Sequence, residues 1–453
     1  GKKGGRNLRK SHRGGIPLPG RTDVFHAGYH ITELSSPSPR FINSSWYNRY
    51  EEPPPPQTIT MIWSLIVSMY AVGGLFGTIS VTFVSGMLGR KKAMICNSSI
   101  AIVAAGIMMT SKYARSYEMI IVARILYGYT AGLGLSTHLM YLGEISPRKF
   151  RGIVTLTSVT FASLGKLSGQ FFGLSEILGR EELWNIVLCV PAFFSVVQVI
   201  VLPFLPEAPR YLFIEKGDDM ACKKALQSLW GQGDYKEEMD EMLAEQLAIE
   251  AAPPKSPLQL LRDRSVRWQL MSMSIIYCCN QLSGMSAIST FSFDIFLKAG
   301  IPGDKIRYVT LGLGVSEIIT SISCDSAYWV PYISVILIIL FILFFCGGPG
   351  GATATLNSEL FIQSNRLASF VIMGIQRWLM FLMLYPPFPL SQTALNSYCF
   401  VLFACMCLLG FLFTFFILPE TKGKTLLEIS EEFKAITVCG KSSLEKKNIE
   451  TKL

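Results

Sequence analysis

Charge is scarce in this chain: 16% of its residues are Asp, Glu, Lys or Arg, against about 25% in an ordinary soluble domain. The few charges cluster, leaving uncharged runs at 53–89, 93–111, 125–143, 183–206, 268–293, 326–358 and 378–419. Each reaches the ~18 residues that mark a membrane-span candidate. Half of the residues are hydrophobic and the mean hydropathy is +0.39. An ordinary soluble enzyme is excluded on these grounds. The net charge of +9 does not indicate nucleic acid, because the basic residues sit in short loops between apolar runs. Histidine is rarer still, at four residues. They form no HExxH pair, and no GxSxG elbow is present. Gly423-Lys424-Thr425 ends like a phosphate-binding loop, but Leu418 stands where the leading glycine is required. Gly440-Lys441-Ser442 fails in the same way at Ala435, so ATP-driven chemistry is not expected. No CxxC is matched by a second one, so no structural zinc and no other cofactor is expected. Cys96, Cys189, Cys278, Cys279, Cys346, Cys399, Cys405 and Cys407 lie inside apolar runs, where cysteine behaves as a small hydrophobe. A secreted disulfide scaffold is therefore excluded as well. Residues 1–22 are basic and glycine-rich, with no apolar stretch of the signal-peptide kind.

What remains is an all-α polytopic membrane protein, because hydrocarbon offers no partner to an open backbone. The runs resolve into about ten spans: 58–84, 93–112, 116–143, 153–177, 183–205, 268–296, 307–324, 328–356, 367–389 and 396–418. Arg90, Lys91 and Lys92 follow the first span, and Arg148, Lys149 and Arg151 follow the third. These loops, the 207–266 insert and the Lys-rich 420–453 tail are expected in the cytoplasm. Asn43-Ser44-Ser45 is a glycosylation sequon on the other side. The basic segment 1–27 conflicts with that scheme, and a missing helix before residue 28 would resolve the conflict.

An internal repeat organises the spans. Glu144 is followed by Arg151 at seven residues, and Glu359 by Arg366 at seven; Pro206-Glu207 and Pro419-Glu420 then close the next pair of spans. Two bundles, 28–206 and 267–419, joined by an insert that reads as short soluble helices, form the layout of a secondary transporter. Two similar halves rock about a site between them. The second half has room for one span fewer than the first, and Cys324-Asp325-Ser326 marks the expected gap. A missing span there would reverse the orientation of everything after it.

Several motifs carry a resemblance: Gly89-Arg90-Lys91, Arg124-x-x-x-Gly128, Tyr141-x-x-Glu144-x-x-Pro147-x-x-x-Arg151-Gly152, Pro206-Glu207-Ala208-Pro209-Arg210, Gln281-Leu282-Ser283-Gly284, Gly348-Pro349-Gly350 and Pro419-Glu420-Thr421-Lys422-Gly423. With these the chain resembles the facilitative hexose transporters of the major facilitator superfamily. Within that family it is most similar to the fructose-type branch, near the member-eleven-like and member-nine-like facilitators. The resemblance implies a major facilitator fold lacking most of helix 1 and helix 9. It implies uniport of fructose or glucose across the plasma membrane, with lipid and a small sugar as partners and neither ATP nor nucleic acid.

The resemblance also implies site residues. Gln170, Asn280, Gln281, Ser286, Ile288, Glu317, Ala354 and Trp378 match positions of the sugar site. Asn280 departs from a glutamine, Ser286 from an asparagine and Ala354 from a tryptophan. Amides both donate and accept without charge, which suits sugar hydroxyls, but they also bind helix to helix inside membranes. Arg90, Glu144, Arg151, Glu207, Arg210, Glu359, Arg366 and Glu420 match a charge network at the cytoplasmic span ends. End charges of this kind also arise by simple snorkelling. Gly28-Tyr29 matches the end of the first helix, and His30 takes the place where proton-coupled relatives carry Asp. Lys166, Glu317 and Arg377 lie within spans, where an ionisable group costs about 2.5–3.5 kcal/mol; they raise the alternative of a urate- or anion-tolerant facilitator. A non-transporting truncated isoform or an incomplete gene model is the other alternative. The glycine pairs Gly73/Gly77 and Gly128/Gly132 are expected to let helices approach closely.

Overall fold

The computed structural model describes residues 22–33, 40–146, 151–174, 183–231, 235–251, 256–263, 266–283, 363–384 and 398–417, with a few isolated positions between them. Among the described residues the regular structure is helical throughout. The first half contains α1 (Thr22–Thr32), α2 (Arg40–Tyr50), α3 (Pro56–Leu88), α4 (Arg90–Ala114), α5 (Tyr117–Ile145), α6 (Arg151–Phe172), α7 (Trp184–Val187) and α8 (Val190–Val201). A π-helical turn (Tyr211–Glu215) leads into the insert, formed by α9 (Asp219–Trp230), α10 (Lys236–Ala251) and α11 (Pro257–Arg262). The described helices of the second half are α12 (Arg267–Leu282), α13 (Gln363–Leu384) and α14 (Tyr398–Ile417). The expected spans 307–324 and 328–356 lie outside the described residues, apart from isolated positions.

Proline and glycine punctuate the bundle. Pro56 opens α3 as its first residue, where its missing N–H costs nothing. Gly89 ends α3 and begins α4 at φ 84, and its N–H returns to the Ser85 carbonyl at 3.1 Å. A side chain there would be strained and would meet Tyr211 and Glu207. The expected span 183–205 is broken between α7 and α8, because Pro191 cannot donate to the carbonyl of Val187. The Tyr29 hydroxyl donates to that carbonyl at 2.8 Å. Next to it, the Ala192 N–H bonds Cys189, and the Tyr127 hydroxyl donates to the Leu188 carbonyl at 3.1 Å. Two phenols thus replace two helical donors.

The glycine spacing has its expected consequence. A β-carbon on Gly128 or Gly132 would collide with the α3 backbone at Tyr70 or Gly74, and one on Gly73 or Gly77 with the α5 backbone at Ile125 or Tyr129. α1 and α6 cross as tightly, at Gly28 on one and Gly165 on the other. One large core joins α3, α4 and α5 to Trp378 and Phe381 of α13 and Phe403 of α14, so the two halves share it.

α1 runs unbroken across the expected boundary between 27 and 28, and from Asp23 to Glu33 every residue but Ile31 is buried. Asp23, His26 and His30 interrupt the apolar pattern and hide this helix from a hydropathy reading.

Outer faces are apolar. Phe76, Phe83, Phe193, Phe204, Met61 and Phe411 are each more than half exposed, while Arg124, Glu33, Asp23 and Gln198 are buried. Apolar outside and polar inside is the arrangement of a protein solvated by lipid. Met61–Leu88, Arg90–Ala114, Tyr117–Ile145 and Asn185–Phe204 are each long and apolar enough to cross a membrane.

Candidate functional site

At one end of the first half the expected charges converge. Arg90 donates to Glu144 Oε1 through Nε at 3.1 Å and Nη2 at 3.0 Å. The same Nη2 reaches Glu215 at 2.7 Å, and the guanidinium lies 4.9 Å from the Tyr211 ring centre. Glu207 accepts the backbone N–H groups of Lys91 at 2.9 Å and Ala208 at 3.1 Å. It thereby sits at the first turn of α4, where an anion is favoured. Lys91 Nζ donates to the carbonyls of Pro203 and Leu205, at 3.0 and 2.7 Å, and the Tyr141 hydroxyl to that of Pro206 at 3.0 Å. Arg210 is buried beside them. The resemblance implies Arg90, Glu144, Glu207 and Arg210 here; Glu215, Lys91, Tyr141 and Tyr211 are additions. Glu215 is reached only because the π turn carries it back over α4. The side chains of Arg151 and Arg366, and all of Glu359 and Glu420, lie outside what is described. The contacts above therefore all fall within the first half and the insert's leading turn.

In the bundle interior Gln170 is buried near the end of α6, and its Oε1 has no hydrogen-bond partner among the described residues. Gln281 is buried and Asn280 half-buried at the end of α12. Trp378 is 4% exposed on α13. Its indole fills the place that a side chain at Gly74 would need, and its edge meets Tyr70 at 5.5 Å and 74°. This is a direct contact between the halves. Arg377 beside it is half-buried and lies 5.5 Å from the Phe381 ring centre. Lys166 is half-buried, and its carbonyl accepts from Thr32 at 2.9 Å. Ser286, Ile288, Glu317 and Ala354 lie outside the described residues. Asn43 is on α2, with its side chain likewise outside.

A third group was not anticipated. Asp23, His26, His30 and Glu33 form one stripe of α1, spaced three or four residues apart, and all are buried. Asp23 accepts from Asn97 and Gln198, each at 3.1 Å. His26 Nδ1 lies 3.4 Å from the Ser195 hydroxyl. Glu33 Oε1 is 2.9 Å from His30 Nδ1 and 2.5 Å from Arg124 Nη1. The His30 ring stacks on Tyr127 at 4.1 Å, and the Arg124 guanidinium lies 4.7 Å from the Tyr70 ring centre. Arg124 had registered only as part of a motif. The i, i+3, i+7 polar rhythm of 23–33 was the available signal. Among the described residues no cluster of three His, Cys, Asp or Glu side chains could hold a metal.

Comparisons with known proteins give the family and the fold. The family model described as "Sugar (and other) transporter" matches residues 22–326 and 315–433. The chain is 39% identical over 446 residues to solute carrier family 2, facilitated glucose transporter member 9 of Mus musculus, covering 90% of this chain and 83% of that protein. It is 37% identical to member 5 of Equus caballus, covering 90% and 89%. Among solved structures, the proton:xylose symporter XylE bound to 6-bromo-6-deoxy-D-glucose superposes with a TM-score of 0.76 at 17% identity, over 92% of this chain and 98% of that one. A partially occluded inward-open XylE from E. coli gives 0.69 at 18%, over 90% and 98%. At such identity these two show the major facilitator fold alone.

Proposed function

The chain belongs to the sugar transporter family, and on that premise we propose that it carries neutral hexoses, fructose and glucose, across the plasma membrane by uniport. It is a multi-pass membrane transporter, not an enzyme. The observation that carries the hexose reading is the Gln170 amide, buried with a carbonyl oxygen that no described donor satisfies. A buried acceptor left without a partner costs about 1–3 kcal/mol. A sugar hydroxyl supplies the donor, and Asn280, Gln281 and Trp378 complete the site from the second half; Ser286, Ile288, Glu317 and Ala354 are the further contacts that the family resemblance implies.

Transport follows from a differential contact. The Arg90–Glu144–Glu215 cluster stabilises one arrangement of the helix ends, and Glu207 holds the start of α4. The family resemblance adds Arg151, Glu359, Arg366 and Glu420 to that cluster, beside the buried Arg210. Sugar bound between the halves shifts the balance by its difference in affinity for the two arrangements. The Lys/Arg-rich end is cytoplasmic, and Asn43 is glycosylated on the outer side. The test is uptake of radiolabelled D-fructose and D-glucose into proteoliposomes holding the purified chain, with each sugar competing against the other.

A second reading rests on Arg377. Its Nε is buried without a hydrogen-bond partner among the described residues, one position from Trp378. A guanidinium so placed favours a planar organic anion as an additional substrate. Competition of sugar uptake by urate, abolished in Arg377→Gln, distinguishes the two.

A further inference from the structure

The insert between the halves holds a group that transport does not use. α9 and α10 pack on the π turn around a small core of Phe213, Cys222, Leu226 and Met242. Cys222 is fully buried. Its Sγ lies 3.8 Å from the Sδ of Met239 and 4.0 Å from the Sδ of Met242. The two methionines are three residues apart on α10, so their thioethers share a face. Two thioethers of α10 thus approach one thiol of α9 at nearly equal distance. A thiol carries one proton and can donate to one acceptor at a time, and the other thioether then lies in van der Waals contact with it.

Both thiol–thioether distances fit a metal. An ion held in a plane by three sulfurs at about 2.3 Å sets those sulfurs about 4.0 Å apart. Thiolate and thioether ligands are soft and select Cu(I) over Ca, Mg or Mn. Charge gives the same answer. One thiolate and one monovalent cation make a neutral unit that an apolar core accepts, whereas a divalent ion would leave a net charge buried. We propose that Cys222, Met239 and Met242 form a three-coordinate site for a soft monovalent metal ion, Cu(I) being the biological member of that class.

Burial pushes the Cys222 thiol up to about 11, so the free site is protonated and inert. Loading replaces the proton by the metal: Cys–SH and M⁺ give Cys–S–M and H⁺, with no change of oxidation state. Met239 and Tyr235 are only half-buried and form the way in. The clip joins α9 to α10, and Phe213 of the same core lies on the turn whose Glu215 reaches Arg90. A loaded site therefore stiffens the insert beside the charge cluster.

The test uses the full chain in nanodiscs under reducing conditions, titrated with Cu(I) against a chromophoric chelator. Other cysteines bind copper too, so the readout is the difference from the Met239→Leu/Met242→Leu variant, which keeps every thiol and conserves volume. The wild type is expected to hold one more tight equivalent. It should show a three-sulfur copper environment by X-ray absorption and a rise in melting temperature on loading that the variant lacks. Met239→Leu alone, at the rim of the core, is the control should the double variant misfold, and is expected to weaken binding at least tenfold. Equal stoichiometry and affinity in wild type and either leucine variant, or loss of copper only in Cys222→Ser, would overturn the proposal.

Discussion

Arg124 and Glu33 meet at 2.5 Å in the middle of the first half, with both side chains at most 2% exposed. Removing one partner from a buried pair leaves an uncompensated charge and costs about 3–5 kcal/mol, whereas replacing both by apolar groups is often tolerated. Glu33→Leu and Arg124→Leu should each lower the melting temperature of the detergent-purified protein strongly. The double variant should recover much of the loss, giving a large coupling in a double-mutant cycle.

Tyr29→Phe removes the hydroxyl that satisfies the Val187 carbonyl left free by Pro191. With that carbonyl buried and unpaired, stability should fall by about 1–3 kcal/mol. Adding Pro191→Ala to this variant restores an N–H donor to the helix and should recover part of the loss. Thermal unfolding of the wild type and the two variants checks this.

At the charged end Arg90 compensates two carboxylates at once. Arg90→Ala should therefore cost more than Glu215→Gln, because Glu144 has a side chain only 10% exposed and Glu215 one that is 39% exposed. The expected result is at least a tenfold loss of sugar uptake for Arg90→Ala and a loss of less than threefold for Glu215→Gln, with surface expression matched.

Gln170→Ala removes the proposed sugar contact and also the unsatisfied buried oxygen. Net loss of one hydrogen bond is worth about 0.5–1.5 kcal/mol. KM for hexose should rise about two- to tenfold, while melting temperature in the absence of sugar stays level or rises.

Much of this was legible in the residues. Uncharged runs and loop charges located α3, α4 and α5 to within a few residues, because lipid imposes one simple rule on length and composition. Arg90, Glu144 and Glu207 could be singled out because the family motifs at the span ends carry them. The α1 stripe did not, because its polar residues gain partners on α4, α5 and α8 only after folding. Ninety-one positions separate Glu33 from Arg124, and no local pattern pairs them. The break at Pro191 is visible in sequence only as a proline, and the two tyrosines that make it tolerable come from other helices. Glu215 was missed because a π turn, not an α-helix, aims it at Arg90.

Counterflow is the most direct trial of a gradient-driven hexose carrier. Proteoliposomes with the purified chain are preloaded with unlabelled D-fructose, diluted into a trace of labelled D-fructose, and held with no ion gradient. The label should accumulate transiently inside, in Gln170-dependent fashion, because one site serves both faces in turn. Label that only equilibrates at the rate of protein-free vesicles would contradict it.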